Sequence, residues 1–148
     1  MTTRRRFGKA AVWRAVRAHF ARVPGVTAAY VYGSAGRGRR PFQPHSDVDV
    51  AVLFTPAHGP RDPLRFRMDH AGRLSEAVAR EVEVVVLNDA PCLLAYQVLK
   101  HGVRVLERDR RRCRRLEAEL QTAYLDFLPV REIMTAGTAP FFARGGHG

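Results

Sequence analysis

A chain of 148 residues, 46% hydrophobic and 26% charged, has the length of one domain and a folded rather than disordered composition. No apolar run approaches the roughly 20 residues of a membrane helix, and Cys92 and Cys113 offer neither a disulfide framework nor a CxxC clip, which fits a reduced, cytoplasmic setting. The net charge of +11 is carried almost wholly by arginine, and residues 1–46 hold +10 of it with no acidic residue, so an anionic partner is implied: a nucleotide, a nucleic acid or an acidic protein. Met1 to Arg6 reads as a basic arm. Trp13, Val16, Phe20 and Val23 recur at helical spacing over residues 7–23, and Pro24-Gly25 ends that helix. Val26 to Tyr32 is a strand by its β-branched and aromatic content, and residues 33–44 form a loop rich in Gly, Pro and Arg.

Residues 47–54 alternate, with Val48, Val50, Val52 and Phe54 on one face and Asp47, Asp49, Ala51 and Leu53 on the other. Asp62-Pro63 caps and opens a helix whose apolar stripe is Leu64, Met68, Ala71, Leu74 and Val78. Val82 to Leu87 is a third strand. Asn88-Asp89 is expected to cap a helix over residues 90–100 that Gly102 ends, and Val103 to Leu106 is a short fourth strand. A long last helix spans residues 108–128 with Leu116, Leu120, Ala123 and Phe127 in its stripe. Its start carries Arg110, Arg111, Arg112, Arg114 and Arg115, which suit RNA or an acidic partner, or else a solvated face paired with Glu117 and Glu119. The glycine-rich residues 142–148 read as a flexible tail. The order is α-β-loop-β-α-β-α-β-α without repeat or linker, which makes residues 7–141 one domain.

Two short motifs carry the chemistry. At Gly33 a strand ends on a residue that lets the backbone turn and approach a ligand closely, and Ser34 adds a hydroxyl beside free N–H groups that suit an anion. Arg37, Arg39 and Arg40 can neutralise phosphate charge. Asp47 and Asp49, two apart on a strand, face one side roughly 6–7 Å apart. Carboxylates so placed repel unless a cation intervenes, and magnesium accepts one or two carboxylates together with phosphate oxygens. His45 lies beside this motif, whereas Tyr96 and Tyr124 suit helix packing.

Tyr32-Gly33-Ser34-Ala35-Gly36-Arg37-Gly38 followed by Ser46-Asp47-Val48-Asp49-Val50 resembles the GSx(n)DxD signature of the polymerase-β-like nucleotidyltransferase superfamily. Its minimal branch, the MNT antitoxins paired with HEPN toxins, is the most similar. Gly36 stands where that branch commonly has Ala, and the 12 residues between Ser34 and Asp47 make a slightly long loop. Residues 82–91 look like the third-carboxylate strand and following helix, with Glu83 at that position, usually Asp, and residues 101–106 look like the helix end and short strand after it. The resemblance, over residues 26–130, implies a minimal nucleotidyltransferase fold. That is an α/β (α+β) domain with a small mixed sheet of three to four strands flanked by helices and a long C-terminal helix. It implies Asp47, Asp49 and Glu83 as catalytic residues and ligands of Mg²⁺, two ions being usual, and Gly33, Ser34 and Arg37 as nucleotide-binding residues. It further implies AMP transfer from ATP to a tyrosine of a HEPN ribonuclease toxin, neutralising it, within a hetero-oligomer. With so little chain left for an acceptor-binding domain, a partner would present the acceptor. The alternatives are an antitoxin acting by binding alone, with Glu83 as the reason, an aminoglycoside-type small-molecule nucleotidyltransferase, and, weakest, a nucleic-acid-binding module.

Overall fold

The computed structural model describes residues 7–38 and 42–144, with side chains described as far as Pro129. The expected basic arm and the last four residues of the expected tail lie outside the described residues. The chain runs α1 (Lys9–Ala21), β1 (Val26–Tyr32), β2 (Val48–Phe54), α2 (Pro63–Val78), β3 (Val82–Val86), α3 (Cys92–His101), β4 (Val103–Glu107) and α4 (Arg110–Arg144). The four strands form one sheet in the order β3-β2-β1-β4. β1 pairs antiparallel with β2 and β4, and β2 pairs parallel with β3. The mixed sheet expected from the resemblance is therefore present, with β2 inside it rather than at an edge.

Strand alternation divides the core between the two faces of the sheet. Val48, Val50, Val52 and Phe54 pack with Val12, Val16 and Phe20 of α1 and Leu74 and Val78 of α2. On the opposite face Ala28, Tyr30, Ala51 and Leu53 pack with Ala95 and Val98 of α3 and with Cys113 and Leu116 of α4. Asp49 belongs by alternation to this second face, as expected. Asp47 does not belong to the strand at all: β2 begins at Val48, and Asp47 is the exposed residue leading into it.

Other expectations are met in part. Asp62 does cap α2, its carboxylate accepting from Arg65 N at 3.1 Å. The stripe drawn from Leu64 is turned, however. Leu74 and Val78 are buried, but Leu64 and Met68 are 62% and 66% exposed. Phe66 and His70 take the inward arc instead, their rings against Phe20 of α1. Asn88-Asp89 does not cap α3. The chain makes a 3₁₀ turn at Leu87–Asp89, and the Asn88 amide pairs at 2.9 Å with both the N–H and the carbonyl of Phe54. α3 starts later, after Pro91.

The last helix is longer than expected, and its first turns pack against the sheet. Cys113 and Leu116 are buried, whereas Ala123 and Phe127 face solvent. Tyr124 does stack on Tyr96 at 4.1 Å between ring centroids. A partly buried ion pair holds this start to β4, with one Arg104 nitrogen at 2.5 and 2.7 Å from the two Glu117 oxygens. Glu117 also accepts from the Cys113 thiol at 3.1 Å, and burial pushes that thiol up to about 11. Glu117 is thus engaged inward and only distantly, at 3.9 Å, approached by Arg114. Both cysteines are free. Among the described residues no helix is long and apolar enough to cross a membrane.

Candidate active site

Strand directions bring the candidate residues to one end of the sheet. β1 ends where the parallel pair β2 and β3 begins. In the register Asp49 stands opposite Tyr32 on one side and opposite Glu83 on the other. Neighbouring strands lie about 4.8 Å apart, so Tyr32, Asp49 and Glu83 form a row across one face. Glu83 is exposed, lies on an edge strand and stands in register with Asp49.

After Tyr32 the chain turns through one 3₁₀ turn, Gly33–Ala35, closed by Gly36 N–H donating to Gly33 O at 3.0 Å. Gly33 has φ +67°, and a Cβ there would overlap the Asp49 carboxylate oxygen Oδ2. Glycine is needed twice over, for the left-handed backbone and for contact with the carboxylate. Gly36 is equally confined, since a Cβ would lie 2.8 Å from Tyr32 Cα. That contact accounts for glycine where alanine is common. α1 braces the turn: Trp13 Nε1 donates to Ala35 O at 2.7 Å and Lys9 Nζ to Gly38 O at 3.3 Å. Ser34 Oγ reaches the Asp47 carbonyl at 3.4 Å, tying the turn to the second motif.

Asp47 is set by a different device. Arg80, just past α2, is buried, and its Nη1 donates to the carbonyls of Gln43, Pro44 and Ser46 at 2.7, 3.2 and 3.0 Å. Its Nε donates to Phe7 O at 2.8 Å, and the guanidinium lies 3.9 Å from the centroid of the Phe42 ring. One planar cation thus fixes the backbone that delivers Asp47. His45 is exposed and belongs to a separate cleft with Asp47, Arg80 and Glu81.

Asp47, Asp49 and Glu83 line one cleft of about 310 Å³, together with Glu81, Leu64, Arg67, Met68 and Ala71. Burial, then Glu83, then Asp47 raise the Asp49 carboxyl above its ordinary value. Burial and the charges of Asp49 and Glu83 likewise push the Tyr32 phenol up to about 12. Negative charge is therefore concentrated here, with Arg67 as the cation of the cleft lining. Among the described residues no three His, Cys, Asp or Glu side chains are gathered closely enough to hold a metal ion by themselves. An open set of carboxylates fits magnesium, which keeps waters and takes phosphate oxygens as further ligands.

Of the three nucleotide candidates, Gly33 and Arg37 share a second cleft and Ser34 lines neither. Gly33 and Arg37 line a cleft of about 430 Å³ with Tyr32, Gln97 and His101. Gly33, in contact with Asp49, divides the two clefts. Four lining residues escaped the sequence reading: Arg67, Arg80, Gln97 and His101. Arg67 left a signal, because Leu64, Arg67, Ala71, Leu74 and Val78 also recur at helical spacing, with an arginine at an inward position. Gln97 and His101 are one turn apart on α3, a pairing that gains meaning only beside Gly33. Arg80 left no signal, since its partners are carbonyls far away in sequence.

Residues 15–111 match the model of the family described as polymerase beta, nucleotidyltransferase. The chain belongs to that family. This nucleotidyltransferase also shares its fold with chains from toxin–antitoxin crystal structures. One, from the toxin–antitoxin MntA–HepT, aligns with TM-score 0.65 at 19% identity over 88% of this chain and 96% of its own. A toxin–antitoxin structure with AMP-PNP gives 0.68 at 20% identity over 90% and 99%. A tri-AMPylated Shewanella oneidensis HEPN toxin in complex with MNT antitoxin gives 0.65 at 20% identity over 88% and 95%. No curated protein matches the nucleotidyltransferase by sequence.

Proposed function

We propose that this nucleotidyltransferase is an antitoxin that transfers AMP from ATP to a tyrosine of a HEPN-type partner toxin and so silences it. The observation that carries the reading is the row Tyr32, Asp49, Glu83, with Asp47 beside it and the Gly33 turn against Asp49. The fold shared with chains from AMPylated and AMP-PNP-bound toxin–antitoxin complexes supports the choice of nucleotide and partner.

The Gly33 turn and Arg37 receive the triphosphate, backbone N–H groups and a guanidinium offsetting its charge. Asp47, Asp49 and Glu83 would hold Mg²⁺, which when bound neutralises developing charge on the phosphates and on the attacking oxygen. The acceptor hydroxyl oxygen forms a bond to the α-phosphorus, the bond from that phosphorus to the β-phosphate oxygen breaks, and pyrophosphate leaves. Glu83 completes that set or takes the hydroxyl proton. Catalysis is chiefly positioning and electrostatics.

The test incubates the chain with ATP labelled at the α-phosphate, Mg²⁺ and its HEPN partner. One or more AMP units should appear on the partner's tyrosine and vanish with Asp47→Ala/Asp49→Ala. Full neutralisation of the toxin by that double variant, with no AMP on the partner, would refute transfer in favour of inhibition by contact.

A further inference from the structure

Leu64 and Met68 are the most exposed large apolar side chains among the described residues. They sit one turn apart on α2, the helix that lines the outer side of the carboxylate cleft, and both belong to its wall. Phe66 and His70 take the core-facing arc, which turns Leu64 and Met68 outward onto the cleft. Arg67, between them, has its Nε engaged with Val84 O at 2.8 Å and so holds α2 to the edge of β3. The cleft is chemically two-sided, with Leu64, Met68 and Ala71 as the apolar part and Asp47, Asp49, Glu81 and Glu83 as the acidic part.

We propose that this α2 face is the acceptor subsite, and that it takes a protein side chain with an apolar ring and a terminal hydroxyl, a tyrosine. The inference rests on the transfer reading above and adds where the acceptor binds. In phosphoryl transfer the attacking and leaving oxygens stand in line on opposite sides of the phosphorus. Arg37 and Gly33 line a cleft separate from the one that Asp49 lines, so the leaving pyrophosphate belongs there. The attacking hydroxyl then enters from the other side, past Leu64 and Met68. Four carboxylates against one arginine in the lining disfavour an anionic acceptor such as an RNA end. A polyhydroxylated amine would match that charge but leave the apolar wall without a partner. A phenol satisfies both walls, its ring on Leu64 and Met68 and its hydroxyl toward Glu83.

Met68 supplies its own reporter, being one of only three methionines. The full chain, labelled with ¹³C at the methionine methyls, is titrated with N-acetyl-tyrosinamide in the presence of Mg²⁺ and AMP-PNP. The Met68 methyl should shift while those of Met1 and Met134 stay in place, and Leu64→Ser should weaken the binding at least fivefold. No shift of Met68, an equal shift of all three methyls, or a response to kanamycin in place of the phenol would overturn the proposal. So would a Met68 response to AMP-PNP alone that blocks the phenol, which would give the face to the nucleotide. In the transfer assay Leu64→Ser/Met68→Ser should raise KM for the HEPN partner at least fivefold, with kcat and the affinity for AMP-PNP within twofold. Unchanged KM would refute the subsite. If the unaltered chain transfers AMP to no protein, the function reading fails, and the methyl titration still decides the subsite by itself.

Discussion

Replacing Gly33 with alanine tests the contact on which the site is built. An L-residue in the left-handed region costs roughly 1–2 kcal/mol, and Gly33 sits there at φ +67°. The new methyl must also displace the Asp49 carboxylate, the nearest group to it. That carboxylate is the end of a side chain and can swing away, so the clash adds little to the stability loss. At about 2–4 °C per kcal/mol for a chain of this size, the midpoint of thermal unfolding should fall by about 2–8 °C. The effect on transfer should be much larger, because a shift of about 1 Å in a catalytic group costs on the order of 10²-fold in rate. Gly25→Ala separates the two effects. Gly25 has φ +85°, and its Cβ would lie 2.6 Å from the His58 backbone oxygen, at the opposite end of β1. That variant should lose at least as much stability yet retain transfer per folded molecule. Labelled-AMP transfer beside thermal unfolding monitored by circular dichroism reads both quantities. Equal rates for Gly33→Ala and Gly25→Ala would refute the claim that Gly33 positions Asp49.

Asp49→Asn should abolish transfer and yet raise the unfolding midpoint at neutral pH. The Asp49 carboxyl is raised by burial and by Glu83 and Asp47, so its ionised form works against folding; an unchanged or lower midpoint would contradict this. Arg80→Met should cost about 3 kcal/mol in a denaturant titration by stranding the carbonyls it serves, and should slow transfer by releasing the Asp47 segment. Intact transfer in that variant would deny Arg80 a positioning role. His19 and His70, 2.8 Å apart between ring nitrogens, are both lowered by burial, with Arg73 facing both, Arg22 facing His19 and Asp69 opposing at His70. The unfolded chain therefore binds more protons, and stability should be full above pH about 6.5 and decline as pH falls below it. Thermal melts of His70→Phe across that range should show a flatter dependence, and an unchanged slope would exclude the pair as its source.

The parts legible in the sequence were those written in short-range pattern. Alternation in residues 48–54, the Gly33-Ser34 turn and the Asp62 cap are local, and local spacing identifies them. Glu83 was legible through resemblance, while its placement opposite Asp49 is a matter of register, which no spacing within one strand encodes. The helix stripe at Leu64 and Met68 was read one face off. Periodicity says that a helix has an apolar side but not which arc meets the sheet, and here Phe66 and His70 fit Phe20 better. Asn88 was read as a cap because Asn at a helix start usually is one; its actual partner is a strand end 34 residues away. The arginine run from Arg110 was assigned Glu117 as a neighbour, but Arg104, on β4, had already engaged that carboxylate.

The 12 residues between Ser34 and Asp47 join the two halves of the site in sequence without setting the distance between them. That distance comes from the pairing of Tyr32 with Asp49, reinforced by Trp13 on one half and Arg80 on the other. The connection is thereby relieved of setting that distance. Its length can drift through insertion while the carboxylates and the phosphate turn keep their places. A scaffold arranged in this way can acquire new partners at the rim of its active site without rebuilding the chemistry beneath.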